Sequence, residues 1–399
     1  MRPIDELKSD VIAEVETHKA ELIAIADAIH ANPEIAFEEY DAAELLSSTL
    51  EESAFTVERG VGGLDTAFVA TLEGAKDRPR VAFLAEYDAL PELGHACGHN
   101  LIATAALGAG LAMRAVISEL EGAVQVIGTP AEERGGGKVI LVDAGVFDGV
   151  DAAMMVHPSN YNMTRRTSLT SHKVIVEFFG KPAHAAAAPD EGINALDALI
   201  QTFNGVNALR QHLRDDARIH GIITHGGKAT NIVPDYAAAQ FGIRAVDVGY
   251  AQRVIAKVCA CAEAGALATG ARLKFTQPDY SYANMMPNPV LADLTDANMA
   301  SLGIEVRLPS PKERMGSSDM GNVSQVVPAL HSYISIGSED IVGHTAEFRE
   351  AAASPEGHDG MIKAAQFLAM TAIDLLAAPA NLCEAHKVFR QQKGGTDLV

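Results

Sequence analysis

Three short apolar segments that end in polar residues place the strongest restriction on the fold of this chain. They are "VAFLAEYDALPE", "AVQVIGTPAEE" and "AAMMVHP". The segments between them, at roughly 99–117 and 137–145, have the composition of helices. Alternation of buried strands with helices predicts a parallel sheet with helices on both faces. Sheets of this kind bind ligands beyond the carboxyl ends of their strands, where the polar residues of the three segments lie.

The pattern changes near Ser168. "HKVIVEFF", "RIHGIITH", "YAAAQFGIRA" and "ARLKFTQ" are predicted strands, and 193–214 and 250–268 are predicted helices. The resulting order, βαββαβ, is typical of a compact two-layer, ferredoxin-like domain. After Tyr280 the first pattern returns, with the strand "HSYISIG" and a helix at 355–378. We therefore predict an α/β protein with a mainly parallel sheet in 1–168 and 282–399, and an inserted domain at 169–281.

The charge balance excludes some classes of partner. The chain has 31 Lys and Arg against 52 Asp and Glu, a formal net charge of −21, so nucleic acid and acidic membrane surfaces are not expected to bind. The longest nearly apolar run, 101–113, is shorter than the about 20 residues of a membrane span. The N-terminal stretch is charged and lacks the hydrophobic core of a signal peptide, which predicts a cytoplasmic protein.

Metal-ligating residue types recur in the polar turns of the predicted sheet. "GHACGHN" contains Cys97 and His99, and "VGHTAEF" contains His344. The strand-end segments add Glu132, Glu133 and His157. Cys, His and carboxylate side chains are the ligands of zinc-like or manganese-like ions. One such residue alone is usually a packing or surface residue, but their joint occurrence at strand ends predicts a metal site.

The adjacent pair Glu132 and Glu133 offers two roles. One carboxylate can bind metal while the other takes a proton from a water that the metal activates. Asp88 is a candidate acceptor that orients His99. A nucleophilic role for Cys97 stays open, although two flanking histidines and two glutamates favour a ligand. "ERGGGKV" lacks the residues of a phosphate-binding loop, and no G-x-S-x-G motif occurs.

Six sequence blocks, in order, carry a resemblance to a known family. They are "NPEIAFEE", "AEYDALPELGHACGHN", "GTPAEERGGGK", "GKPAHAAAAPDEGINALDA", "TNIVPDYA" and "SSDMGNVSQVVP". Over nearly its whole length the chain resembles the aminoacylase and carboxypeptidase-G type of dinuclear metallopeptidases, peptidase family M20. It is most similar to the amidohydrolase branch, with its indole-acetyl-amino-acid and p-aminobenzoyl-glutamate hydrolases. Asn100, where many relatives have aspartate, and "EYDALP" in place of "DMDALP" indicate the p-aminobenzoyl-glutamate hydrolase and dipeptidase-like sub-branch.

The resemblance implies roles for individual residues. Two divalent ions, manganese or zinc, would be held by Cys97, His99, Glu133, His157 and His344. Glu132 would be the general base. The inserted domain would be a lid and dimerisation domain, from which His184 reaches the partner subunit's site and stabilises the oxyanion. Asn231 would lie near the same site, and Arg244 would bind a substrate carboxylate.

The sequence therefore predicts a metal-dependent hydrolase that cleaves a C–N bond of a small amide. The expected substrate is an N-acyl or N-aroyl amino acid, p-aminobenzoyl-glutamate-like, or a dipeptide, attacked by metal-activated water with Glu132 as base. Hydrolytic deamination of an aromatic amine at the same dinuclear site is the alternative. A non-catalytic metal-binding protein is a weaker alternative, because Glu132 is retained. A homodimer formed through the lid is expected.

Overall fold

A computed structural model describes residues 2–278, 280–310, 313 and 315–394. The strands are β1 (Thr56–Arg59), β2 (Phe68–Lys76), β3 (Arg80–Ala85), β4 (Gly122–Gly128), β5 (Ala152–Ser159), β6 (His172–Phe179), β7 (Arg218–His225), β8 (Tyr236–Arg244), β9 (Arg272–Thr276) and β10 (Ala329–Ser335). The α-helices are α1 (Ile4–Ala31), α2 (Tyr40–Glu52), α3 (His99–Met113), α4 (Gly137–Asp143), α5 (Ala195–Leu209), α6 (Val248–Thr269), α7 (Pro289–Ser301), α8 (Met320–Ser324), α9 (Ala346–Ala351), α10 (Pro355–Ala377) and α11 (Pro379–Gly394).

The described chain forms two compact units. Unit 1 consists of residues 2–167 and 285–394, and unit 2 is the continuous segment 168–284. Unit 1 contains a sheet with the strand order β1-β2-β4-β3-β5-β10. Strands β4, β3, β5 and β10 are parallel, whereas β1 and β2 add an antiparallel edge. The predicted, mainly parallel sheet is thus confirmed, and its parallel strands bring the turns after β3, β4 and β5 to the same edge.

Helix α3 lies in the interior of unit 1. All of its residues are buried, and it packs against α1, α10 and the sheet. Its small residues permit the close approach. A Cβ added to Gly110 would lie 2.5 Å from a methyl group of Val126, and one added to Gly108 would lie 2.9 Å from Leu22. This close packing against the sheet fixes α3, so its first residues are held at the carboxyl ends of the strands.

Helix α10 is a second interior element of unit 1. Among the described residues it is the one helix that is long and apolar enough to cross a membrane, by length and composition alone. Of its most apolar stretch, 89% is buried inside the protein, where it packs against α1, α3 and α7. This extent of burial is typical of a helix in the core of a folded domain.

Unit 2 has the topology β6-α5-β7-β8-α6-β9, with the antiparallel strand order β7-β8-β6-β9. Alternate residues of β6, including Val174, Val176 and Phe178, are fully buried in one cluster with residues of α5 and α6. The period of two expected for a sheet covered on one face accounts for this alternation. The predicted ferredoxin-like βαββαβ arrangement is confirmed.

Candidate functional site

Polar residues from the predicted strand ends meet in unit 1. Cys97 precedes α3, His99 begins it, and His157 lies in the last part of β5. Gly98 has a left-handed backbone (φ 79°), and a Cβ there would lie 2.5 Å from the Pro158 ring. Glycine at this position therefore lets the loop turn sharply between Cys97 and His99 while β5 passes close by.

The potential ligand atoms form one connected cluster. Atoms of Cys97, His99 and His157 all lie within 4.8 Å of one another. The same limit holds for two overlapping sets, Cys97–Glu133–His344 and His99–Glu132–Glu133. The Cys97 Sγ atom is 3.4 Å from His157 Nε2, and His344 Nε2 is 3.2 Å from Glu133 Oε1. The structure thus brings together every candidate ligand that the sequence indicated.

Hydrogen bonds orient two histidines of the cluster, the buried His99 and the partly buried His157. His99 Nδ1 lies 2.8 Å from the carbonyl oxygen of Asp88 and 3.1 Å from its carboxylate, and His157 Nδ1 lies 2.7 Å from the carbonyl oxygen of Pro158. A carbonyl can only accept, so each Nδ1 carries a proton, and each ring directs toward the cluster its Nε2, the atom that can bind a metal ion when the ring is neutral. His99 Nε2 is buried and has no hydrogen-bond partner among the described residues. This donor set fits divalent metal ions.

The neighbouring charges change the protonation of the cluster. Burial raises the pKa of the Cys97 thiol, but the His157 and His99 imidazoles outweigh burial and lower that pKa to about 6. Burial and the carboxylates of Glu86 and Asp319 raise the pKa of Glu132 well above its ordinary value. Burial acts in the same direction on Glu133, yet its hydrogen bond with His344 lowers its pKa overall. Adjacent carboxyl groups whose pKa values are displaced in opposite directions are suited to different roles.

A buried ionic cluster that the sequence did not reveal lies beside Glu132. The Lys138 ammonium is 2.5 Å from Glu86 Oε1 and 2.8 Å from Asp319 Oδ1, and all three side chains are buried. Asp319 also accepts a 2.9 Å hydrogen bond from the Lys138 backbone at the start of α4. Carboxylate oxygens of Glu86, Glu132 and Asp319 lie within 4.8 Å of one another. Lys138 therefore supplies the positive charge that this concentration of carboxylates requires.

A cavity of about 430 Å³ opens onto the cluster and is lined by Cys97, His157 and His344. Tyr161, Arg166 and Tyr333 also line it, and the sequence did not point to these residues. The Arg166 guanidinium carbon is 5.0 Å from the centre of the Tyr333 ring. A larger hollow of about 750 Å³ is lined by residues of β10, α9 and α10 and the loops beside them, and its described lining includes none of the predicted site residues. The smaller cavity combines aromatic and apolar lining residues with polar groups that could orient a small molecule.

The remaining predicted residues lie in unit 2, and all are exposed. His184 Nδ1 accepts hydrogen bonds from the backbone of Ala186 (3.3 Å) and Ala187 (3.1 Å). The neutral His184 ring therefore presents Nε2–H as a donor. Asn231 lies near His184, because its backbone carbonyl oxygen accepts a hydrogen bond from the backbone N–H of Ala185.

Arg244 ends β8 in unit 2 and pairs across the sheet with Arg218. The Asp247 carboxylate, shortly after β8, is 2.6 Å from the Arg214 guanidinium and also caps α6 by accepting from the Tyr250 backbone. The Asp247 carboxylate therefore forms an ion pair with Arg214. No local pattern indicates this pairing, because the two residues come from different parts of unit 2.

Comparison with known proteins defines the class of this fold and site. The family model for peptidase family M20/M25/M40 matches residues 82–366. The chain is 39% identical to a mouse protein named Xaa-Arg dipeptidase, over 97% of the chain and 93% of the relative. It is 36% identical to one of the p-aminobenzoyl-glutamate hydrolase polypeptides of Escherichia coli, over 69% of the chain and 61% of that protein.

A solved structure shares the fold. A dinuclear metal-binding peptidase of the M20 family from Bacillus subtilis matches with a TM-score of 0.72 at 21% identity, over 91% of this chain and 99% of that one. The chain belongs to peptidase family M20/M25/M40. The resemblance stated from the sequence is confirmed, and the chain is a hydrolase that acts on C–N bonds.

Proposed function

We propose that the chain hydrolyses the amide bond of a dipeptide or of an N-acyl or N-aroyl amino acid. The named relatives support this substrate class, since they include a dipeptidase, a p-aminobenzoyl-glutamate hydrolase and an N-acetyl-L-cysteine deacetylase. The observation that carries the proposal is the cluster of thiol, imidazole and carboxylate ligands with Glu132 beside Glu133. A cavity next to the cluster offers space for a small substrate.

Two divalent ions, manganese or zinc, would be held by Cys97, His99, Glu133, His157 and His344. When bound, the ions would polarise the amide carbonyl and lower the pKa of an attacking water. Asp88 holds the His99 ring with Nε2 directed into the cluster. The same carboxylate accepts a 2.9 Å hydrogen bond from the Glu133 backbone, so one residue orients two ligands.

Glu132 would act as the general base and then as the general acid. Its carboxylate takes the proton of the attacking water and passes that proton to the leaving nitrogen. This assignment follows from its place beside Glu133 and from the family match at "GTPAEERGGGK". The neighbouring Lys138 cluster keeps the Glu132 turn and the start of α4 in place.

Residues with basic or polar side chains in each unit have proposed roles in substrate binding. The Arg166 guanidinium gives the unit 1 cavity a permanent positive charge, which suits a substrate with a carboxylate. From unit 2, Arg244 would bind a substrate carboxylate, and Asn231 would lie at the site. His184 would donate its Nε2–H to the oxyanion in the partner subunit of a cytoplasmic homodimer, with residues 169–281 as the lid and dimerisation domain.

A substrate panel tests this function. Protein loaded with manganese or zinc would be incubated with dipeptides, N-acyl amino acids, p-aminobenzoyl-glutamate and aromatic amines, and the products would be identified by mass spectrometry. We expect a free amino acid together with a new carboxylic acid or amino acid. Release of ammonia from the aromatic amines, with the amides left intact, would replace this proposal with hydrolytic deamination.

A further inference from the structure

Glu39 occupies an unusual position at the start of α2. It directly precedes the helix and is fully buried. A short polar side chain at this position, such as that of Asp, Asn, Ser or Thr, commonly accepts hydrogen bonds from the first backbone N–H groups of the helix. Here Glu34 does so, since its carboxylate accepts from the backbone of Asp41 (3.0 Å) and Ala42 (2.9 Å). The Glu39 carboxylate is therefore available for a different contact.

That contact is with the turn that carries the candidate base. Glu39 Oε1 accepts a 2.9 Å hydrogen bond from the Ala131 backbone, and Oε2 accepts a 3.0 Å bond from the Thr66 hydroxyl. Glu39 and Ala131 are 92 residues apart in sequence. Ala131 has a left-handed backbone (φ 62°), which alanine rarely adopts unless its surroundings hold it there.

A second buried carboxylate holds the other side of Glu132. The Glu133 backbone N–H donates to Asp88 Oδ2 at 2.9 Å. The backbone N–H groups of the two residues that flank Glu132, Ala131 and Glu133, are thus each bonded to a carboxylate from a distant element. Tight packing adds to this restraint, because a Cβ on Gly137 would lie 1.8 Å from the Pro130 carbonyl oxygen. The Glu132 backbone has little freedom to move while both bonds persist.

We propose that Glu39 is a positioning residue that holds the general base Glu132 in its reactive place through the Ala131 backbone. This inference rests on the proposed role of Glu132. Glu39 itself belongs neither to the ligand cluster nor to the lining of the cavity that opens onto it. Displacement of a reacting group by about 1 Å can lower a rate by about 100-fold, so a bond that fixes one backbone amide can matter for turnover.

Three variants separate this role from general stabilisation. Glu39→Ala removes the bond to Ala131, Glu39→Gln retains an amide oxygen that can accept it, and Glu34→Ala is the matched control that removes the adjacent helix cap. Because burial raises the pKa of Glu39 to about 7, assays would be run above about pH 8, where its carboxyl group is ionised. The measurements are kcat and KM on the best wild-type substrate, metal content, and hydrogen exchange at the Ala131 amide.

We expect Glu39→Ala to lower kcat by about 10–100-fold while KM and metal content change little. Exchange at the Ala131 amide should become faster in this variant. Glu39→Gln should restore most of the turnover and the protection, and Glu34→Ala should leave both unchanged. If Glu39→Ala does not fold, Thr66→Val provides the second variant, since it removes the other donor to Glu39 and should give a smaller fall in kcat with the same pattern.

Unchanged kcat in folded Glu39→Ala, or unchanged exchange at Ala131, would overturn the inference. Equal losses in Glu39→Ala and Glu34→Ala would overturn it as well, because they would indicate a general effect on α2. Failure of the proposed function is distinguishable from either result. In that case the wild-type chain would hydrolyse no amide of the panel, while hydrogen exchange would still report whether Glu39 holds the turn.

Discussion

In unit 1 the His99 imidazole is fully buried and hydrogen-bonded to Asp88. The His184 imidazole of unit 2 is exposed instead, and its described hydrogen bonds are those from the backbone N–H groups of Ala186 and Ala187 in its own loop. Asn231 and Arg244 of unit 2 are exposed as well. Buried polar residues are costly to disturb, while exposed ones can be replaced with little effect on folding. Loss of activity therefore has different meanings in the two units, and an effect in unit 2 would indicate contact with substrate or with another copy of the chain.

The largest effect is expected at the proposed general base in unit 1. Glu132→Gln preserves the shape of the side chain and removes the basic oxygen, so turnover should fall by about 10²–10⁴-fold. Metal content should stay at the wild-type level. The matched control is Glu133→Gln, which should lose metal as well as turnover. Turnover of Glu132→Gln close to that of the wild type would assign proton transfer to another residue.

The buried ion pairs of unit 1 should differ strongly from the surface pairs of unit 2. Lys138→Met leaves the buried carboxylates of Glu86 and Asp319 without their cation and should lower the free energy of unfolding by about 3–5 kcal/mol. Lys274→Met removes a pair with Glu177 whose lysine side chain is 57% exposed, and it should cost at most about 1 kcal/mol. Urea denaturation of both variants measures the difference. Similar losses would mean that the Lys138 cluster is no more important for stability than a surface pair.

The proposed action of His184 at the partner subunit's site can be tested by mixing two kinds of inactive chain. His184→Ala removes the proposed oxyanion donor and should lower kcat by about 10²–10³-fold without loss of metal. In a mixed dimer of His184→Ala and Glu132→Gln chains, a trans arrangement places both lesions at one site and leaves the other site intact. Activity should then return on mixing. Absence of recovery, with mixed dimers demonstrated by native mass spectrometry, would rule out this arrangement.

A smaller effect is expected for Arg244. Arg244→Lys retains the charge and loses the ability to form the proposed forked pair of hydrogen bonds to a carboxylate, so kcat/KM should fall by about tenfold for a carboxylate-bearing substrate. The same substrate with its carboxylate amidated should be poor for the wild type and almost unaffected by the change. Equal losses on both substrates would show that Arg244 has a structural role in unit 2.

Much of the fold could be predicted because local patterns determine it. The strand ends of β3, β4 and β5 and the βαββαβ order of unit 2 follow from apolar runs and their spacing. The antiparallel strand β2 was missed because its second half is largely exposed, so "FVATLEGAK" shows no continuous apolar run. Partly exposed strands of this kind depend on their neighbours for pairing more than on their own composition.

The candidate ligands were visible in the sequence because they follow predicted strands, but their supporting residues were not. Lys138 and Asp319 are 181 residues apart, and a lysine after three glycines gives no sign of burial. Glu39 lies in a block that resembles the family, yet its contact with Ala131 joins two distant turns. Such pairs are determined by tertiary packing, which no local pattern contains.

Metal content per chain tests the proposed dinuclear site most directly, because all of its proposed ligands lie in unit 1. Elemental analysis of protein purified without chelators should give about two divalent ions per chain for the wild type. Cys97→Ala should contain clearly less metal, and His184→Ala should match the wild type. Active wild-type protein with almost no metal, or Cys97→Ala with a full complement, would contradict a dinuclear site built from these residues.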